Sequence, residues 1–118
     1  MGLTDVRLFV SNPLIPALGR QLEFMVDSGA VFSVVPRSVL EEIGISPDSS
    51  ESFRLADLTR IERRVGEAAF TFEGKTRTSP VVFGEEGDAT LLGAMTLEAL
   101  GLLLDPLRRE LRPMELRL

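Results

Sequence analysis

Apolar and polar residues alternate along most of this chain with a period of two, the spacing of strands that bury one face. Over residues 3–11, Val6, Leu8 and Val10 fall on one side and Asp5 and Arg7 on the other, which predicts a first strand ended by Asn12-Pro13 and Pro16. Residues 20–26 alternate again, Leu22 and Phe24 against Gln21 and Glu23, and deliver the chain to Asp27. A second apolar run, residues 31–35, begins almost at once. One carboxylate thus stands between two core-type stretches, where it has to be paired, hydrogen-bonded or neutralised.

The period changes after Pro36. Val39, Leu40 and Ile43 with Glu41 and Glu42 between them, and Gly44 after the last apolar residue, predict a short helix with a glycine stop. Residues 46–51 are polar and turn-rich and read as a loop. Two hairpins follow in the pattern. Residues 53–65 turn near Asp57 and Leu58, and residues 65–83 turn at Glu73-Gly74, with Ala68, Phe70 and Phe72 facing Val81 and Phe83. An acidic turn at 84–88, a return to the core over 89–92, a close backbone approach at Gly93 and a helix over 94–100 come next. Residues 102–104, a turn at Asp105-Pro106 and an alternating tail over 110–118 end the chain, and a patterned tail points to docking in a sheet.

Composition narrows the chemistry. A length of 118 residues with 44% hydrophobic content suits one globular domain, 1–118. The chain has no Cys and no His, which excludes thiol nucleophiles, disulfides, Ser-His pairs and the usual zinc sites. Acid-base work is left to carboxylates, Lys75 or the amino terminus. A net charge of −5 with scattered basic residues argues against nucleic acid. Glu85-Glu86 reads as solvated surface, so neither metal nor organic cofactor is expected. Charges interrupt the first residues where a signal peptide needs an apolar core, and the apolar stretch at 100–104 is too short for a bilayer. No membrane association is therefore expected, and a cytoplasmic location is the default.

Asp27-Ser28-Gly29 has a plain reading as a tight turn, since all three residue types form turns. The flanks add to it. Met25-Val26-Asp27-Ser28-Gly29-Ala30 resembles the signature of the retropepsin-like aspartic proteases, the retroviral proteases and their single-domain bacterial relatives: two apolar residues, Asp, Thr or Ser, Gly, then Ala or Ser. Ser33 and Pro36 fit its continuation in the non-viral members. Leu91-Leu92-Gly93 before the predicted helix resembles the family's second element, and residues 96–106 its bacterial ending.

The resemblance implies a mainly β fold, a retropepsin-like closed barrel or sandwich with a flap hairpin and one or two short helices, active as a homodimer. It implies an aspartic endopeptidase in which water is activated by an Asp27 pair across the dimer axis, with Ser28 fixing the two loops and Gly29 leaving room for carboxylate and substrate. Ala30, Val34, Leu55, Ala56, Asp57, Leu58, Ile61 and Leu92 would meet an extended peptide or protein substrate, with a preference for hydrophobic residues near the cut. Chemistry agrees with the symmetry: peptide hydrolysis by carboxylates needs two sharing one proton, and Asp88-Ala89-Thr90 lacks the glycine and the apolar pair of a second copy. Two features depart from the family pattern: Leu58 stands where many bacterial relatives have Gly, and no Tyr is present to serve as a flap aromatic. The alternative is a non-catalytic dimerisation or peptide-binding module of the same fold.

Overall fold

The computed structural model describes residues 4–115 and 117–118, so Leu3 of the predicted first strand and Leu116 of the tail lie outside the described residues. Strands β1 (Asp5–Ser11) and β2 (Gly19–Val26) pair antiparallel, from Asp5 opposite Met25 to Ser11 opposite Gly19. Their alternation does what it predicts: Leu8, Val10 and Phe24 are buried. Then come β3 (Ser33–Pro36), α1 (Arg37–Glu42), β4 (Ser49–Arg54), β5 (Arg60–Phe72), β6 (Lys75–Gly84), β7 (Leu91–Leu92), α2 (Ala94–Leu100), β8 (Leu102–Asp105) and β9 (Glu110–Pro113).

The main sheet runs β1-β2-β7-β3-β6-β5-β4, and β1 also pairs with β5 through Phe9–Thr71, Val10–Phe70 and Ser11–Ala69. The first six strands in that order therefore close into a barrel, which leaves them no free edge. Phe24 and Phe70 meet across the interior with ring centroids 6.0 Å apart. Leu40 of α1 and Leu97 and Leu100 of α2 join the same core. The tight turn between β5 and β6 has Glu73 and Gly74 both at positive φ, as a two-residue hairpin requires. Among the described residues no helix is long and apolar enough to cross a membrane.

Four predicted features differ in the folded chain. The apolar run at 31–35 becomes a strand only from Ser33, and Val31 is 61% exposed, because residues 27–32 have to turn the chain out of β2. Residues 49–51, expected in a loop, are paired strand: Ser49 lies opposite Val65 and Glu51 opposite Arg63. Strand β4 is exposed almost throughout, so it has no buried face to betray it in the sequence. The two expected hairpins share one strand, since β5 is continuous for 13 residues and pairs with β4 through its first half and with β6 through its second. The alternating tail forms strand only to Pro113, in a separate two-stranded sheet with β8.

Candidate active site

Strand β7 is only two residues long, yet it sits between β2 and β3, parallel to the first and antiparallel to the second. It therefore holds apart the two strands that flank the Asp27 loop. The loop is bonded to it and to the start of α2: the Asp27 N–H donates to the Leu92 carbonyl at 3.0 Å, and the N–H groups of Ala94 and Met95 donate to the carbonyls of Ala30 and Val31 at 2.7 and 3.0 Å. The first turn of a helix leaves N–H groups without intrahelical partners, and here two of them hold the loop. Gly93 is required for this approach. A Cβ there would lie 2.6 Å from the backbone carbonyl of Phe32, closer than packed atoms come.

Beneath the loop lies a chain of buried hydroxyls. The Gly93 N–H donates to Ser33 Oγ at 2.9 Å, Ser33 Oγ lies 2.6 Å from Thr96 Oγ1, and Thr96 Oγ1 lies 2.9 Å from Ser79 Oγ. Because Ser33 accepts from an amide, its own proton is free to go to Thr96, that of Thr96 to Ser79, and that of Ser79 to the Pro80 carbonyl at 3.4 Å. Read in that direction every hydroxyl has an acceptor. The chain ties β3, β6 and α2 together at Gly93, the residue after the Leu92 carbonyl that accepts the Asp27 N–H.

Asp27 itself is half-buried, and its Oδ1 accepts the Gly29 N–H at 3.0 Å, the local bond that an Asp at a turn makes. The hydrogen bond expected for this carboxylate is thus present, without the deep burial that its flanks imply. Ser28 and Gly29 are exposed. A Cβ on Gly29 would lie 3.3 Å from Asp27 Oδ1, so a larger residue would crowd the acid.

Beside the loop opens a cleft of about 480 Å³, roofed by the β4–β5 hairpin. Of the residues predicted to meet a substrate, Ala30, Val34, Leu55 and Ile61 line it, together with Gly29 of the predicted catalytic loop. Leu92, expected there too, is fully buried in the core, and Leu91 lines the cleft instead, because neighbouring residues of a strand face opposite ways. Ala56, Asp57 and Leu58 form the exposed hairpin tip, away from the lining. The tip is closed by Leu55 N–H to the Thr59 carbonyl and Leu58 N–H to the Leu55 carbonyl, at 2.8 and 2.9 Å. Asp57 Oδ1 accepts both the hydroxyl and the N–H of Thr59, which holds its carboxyl below the usual range. Leu58 takes φ 73, a conformation that favours glycine.

Several lining residues had no signal in the sequence. Phe32 and Phe53 meet edge to face at 5.9 Å and tie β4 to the Asp27 loop. Arg63 of β5 grips Asp88 through Nε at 2.7 Å and Nη2 at 3.0 Å. That bond, more than the opposing effect of burial, holds the Asp88 carboxyl below its usual range and raises the Arg63 guanidinium. Each pair joins residues more than 20 positions apart, so no spacing rule could have found it. Among the described residues no group of three acidic side chains is placed to hold a metal ion.

Residues 17–108 match the aspartyl protease family. The fold is similar to the crystal structure of a retropepsin-like aspartic protease from Rickettsia conorii, with TM-score 0.59 and 20% identity over 88% of this chain and 77% of that one. It is also similar to the solution structure of the simian foamy virus (mac) protease, with TM-score 0.54 and 20% identity over 79% of this chain and 92% of that one. No curated protein matches the sequence. With the Asp-Ser-Gly loop set at the mouth of a cleft in a closed barrel, and with the family matched over most of its length, this chain belongs to the aspartyl proteases and has the retropepsin-like fold.

Proposed function

We propose that the protein is an aspartic endopeptidase assembled from two copies of this chain, each contributing Asp27 to one water-activating pair. The observation that carries the proposal is the half-site itself. One carboxylate stands half-exposed on a loop bonded to β7 and α2, beside a cleft roofed by a hairpin, while the matching position in the carboxyl half has no Asp-Ser-Gly. A single carboxylate cannot be both the base that takes a proton from water and the acid that hydrogen-bonds the scissile carbonyl. A twofold axis at the exposed Ser28 and Gly29 supplies the second.

In this reading one Asp27 is ionised and accepts a proton from the attacking water, and the other is protonated and donates to the substrate carbonyl oxygen. Ser28 bonds across the axis and sets the two loops at a fixed separation. Gly29 leaves its backbone open to the extended peptide, and Ala30, Val34, Leu55 and Ile61 pack on its side chains. Ala56, Asp57 and Leu58 close over it from the flap. The peptide pairs through its main chain, as extended ligands do.

The test compares the parent with Asp27→Asn for cleavage of a mixed peptide library from acid to neutral pH, together with the mass of each in solution. Expected are a dimer in both and loss of cleavage by about 10³-fold or more in the variant. The absence of an aromatic residue from the flap tip favours a second reading, a dimeric peptide-binding module without turnover. A dimer that binds peptides and cleaves none would establish it.

A further inference from the structure

The cleft beside the Asp27 loop is apolar along most of its wall, with Phe32, Phe53, Ile61, Val82 and Leu91 among its lining, and its charged lining residues are Arg54, Arg63 and Asp88. The pair is withdrawn from water, at 18% and 24% side-chain exposure. Arg63 donates through Nε to Asp88 Oδ2 at 2.7 Å and through Nη2 to Oδ1 at 3.0 Å, while Nη1 donates to the Glu62 carbonyl at 2.9 Å. Asp88 Oδ2 also accepts the Glu85 N–H at 2.8 Å, which fixes the carboxylate at the start of its turn.

Two charges removed from water are costly unless each is satisfied by the other. The arrangement here is the planar fork with which arginine holds any carboxylate, that of a ligand included. Asp88 thus occupies the place where an acidic side chain reaching for Arg63 would have to bind, and the other arginine of the lining, Arg54, lies on the exposed strand β4 rather than in the withdrawn pair. Alternation along β5 turns Ile61 and Arg63 to the same side, so the apolar wall and the guanidinium face one ligand.

Resting on the peptide-cleft reading above, we propose that Asp88 is a built-in carboxylate that occupies Arg63, so that this subsite accepts uncharged apolar side chains and rejects Asp and Glu. Without Asp88, Arg63 turns the same subsite into one that selects acidic residues. Both are specificity-determining residues for the bound peptide, and neither is asked to take part in hydrolysis.

The experiment uses a short peptide library in which each position in turn carries Leu or Glu. Binding is measured in the Asp27→Asn background, where nothing is turned over, and cleavage is measured in the parent background. With Asp88 present the Leu peptides are favoured at one position. Asp88→Ala shifts the Leu-to-Glu ratio at that position toward Glu by about tenfold or more, the scale of a charge-assisted hydrogen bond, in Kd and KM rather than in kcat. Adding Arg63→Met removes the shift. Asp88→Asn, which keeps the shape of the site, shifts it in the same direction and serves should the alanine variant fail to fold. Equal weakening of Leu and Glu peptides, a gain for Glu that survives Arg63→Met, or no binding of any peptide would overturn the proposal. Selective binding without cleavage would sink the peptidase reading alone, and cleavage with an unchanged Leu-to-Glu ratio would sink the specificity proposal alone.

Discussion

The loop that carries Asp27 and the tip of the β4–β5 hairpin are both short, exposed turns at the same cleft, and they are held in opposite ways. The Asp27 loop is bonded to β7 and α2 and stands on a buried hydroxyl chain that reaches β6. The tip at 55–59 is closed by bonds within itself, and its outermost large side chain, Leu58, is 72% exposed. Reacting groups need positions fixed by their surroundings, whereas a segment that admits a ligand needs few contacts to break. The hairpin is held at its root by Phe53 on Phe32 and by Arg63 on Asp88. The same cleft thus combines a floor built from distant parts of the chain with a roof whose tip, residues 55–59, is bonded chiefly within itself.

The sharpest way to break this contrast is to spoil the floor. Gly93→Ala places a methyl group 2.6 Å from the Phe32 carbonyl, and a loss of about 3 kcal/mol in urea unfolding is expected, with peptide cleavage lost as the Asp27 loop shifts. Thr96→Val keeps the volume and removes the middle hydroxyl, leaving the Ser33 proton without its acceptor and Ser79 without its donor, both almost wholly buried. The expected cost is about 1–3 kcal/mol, and Thr96→Ser should recover most of it.

At the root of the flap the effect is smaller and depends on pH. Bonding to Arg63 depresses the Asp88 carboxyl in the folded protein, so its contribution is complete above the unfolded value near about 4 and is lost as pH falls through the folded value. Asp88→Asn should therefore lower stability by about 1 kcal/mol at pH 7, and the difference from the parent should shrink progressively below about pH 4. A difference that stays constant from pH 7 to pH 3 would show that the charge does not matter. The smallest effect, and the only one of opposite sign, belongs to the tip. Leu58→Gly relieves a left-handed residue at a cost of greater freedom in the unfolded chain, so stability should rise by roughly 0.5 kcal/mol or remain level. Thermal unfolding measures it, and a fall of about 1 kcal/mol would mean that the Leu58 side chain supports the tip.

The legible parts of this protein were those whose cause is local. Alternation in β1 and β2 follows from burying one face, and the Glu73-Gly74 turn and the Gly44 stop follow from backbone conformations that few residues accept. Asp27-Ser28-Gly29 and Leu91-Leu92-Gly93 could be picked out as elements because each is contiguous. Strand β4 could not, since an exposed strand carries no hydrophobic pattern and exists only because β5 offers it an edge.

The amino-acid order therefore settled the strands that bury a face, the acid and its turn, and the exclusion of thiol and imidazole chemistry. Closure of the barrel through β1 and β5, the insertion of β7 between β2 and β3, the choice of Leu91 over Leu92 for the cleft, and the Arg63–Asp88 fork were decided only when the chain folded. These are contacts between residues far apart in sequence, and each depends on which strands become neighbours and in what register, information that no single segment contains.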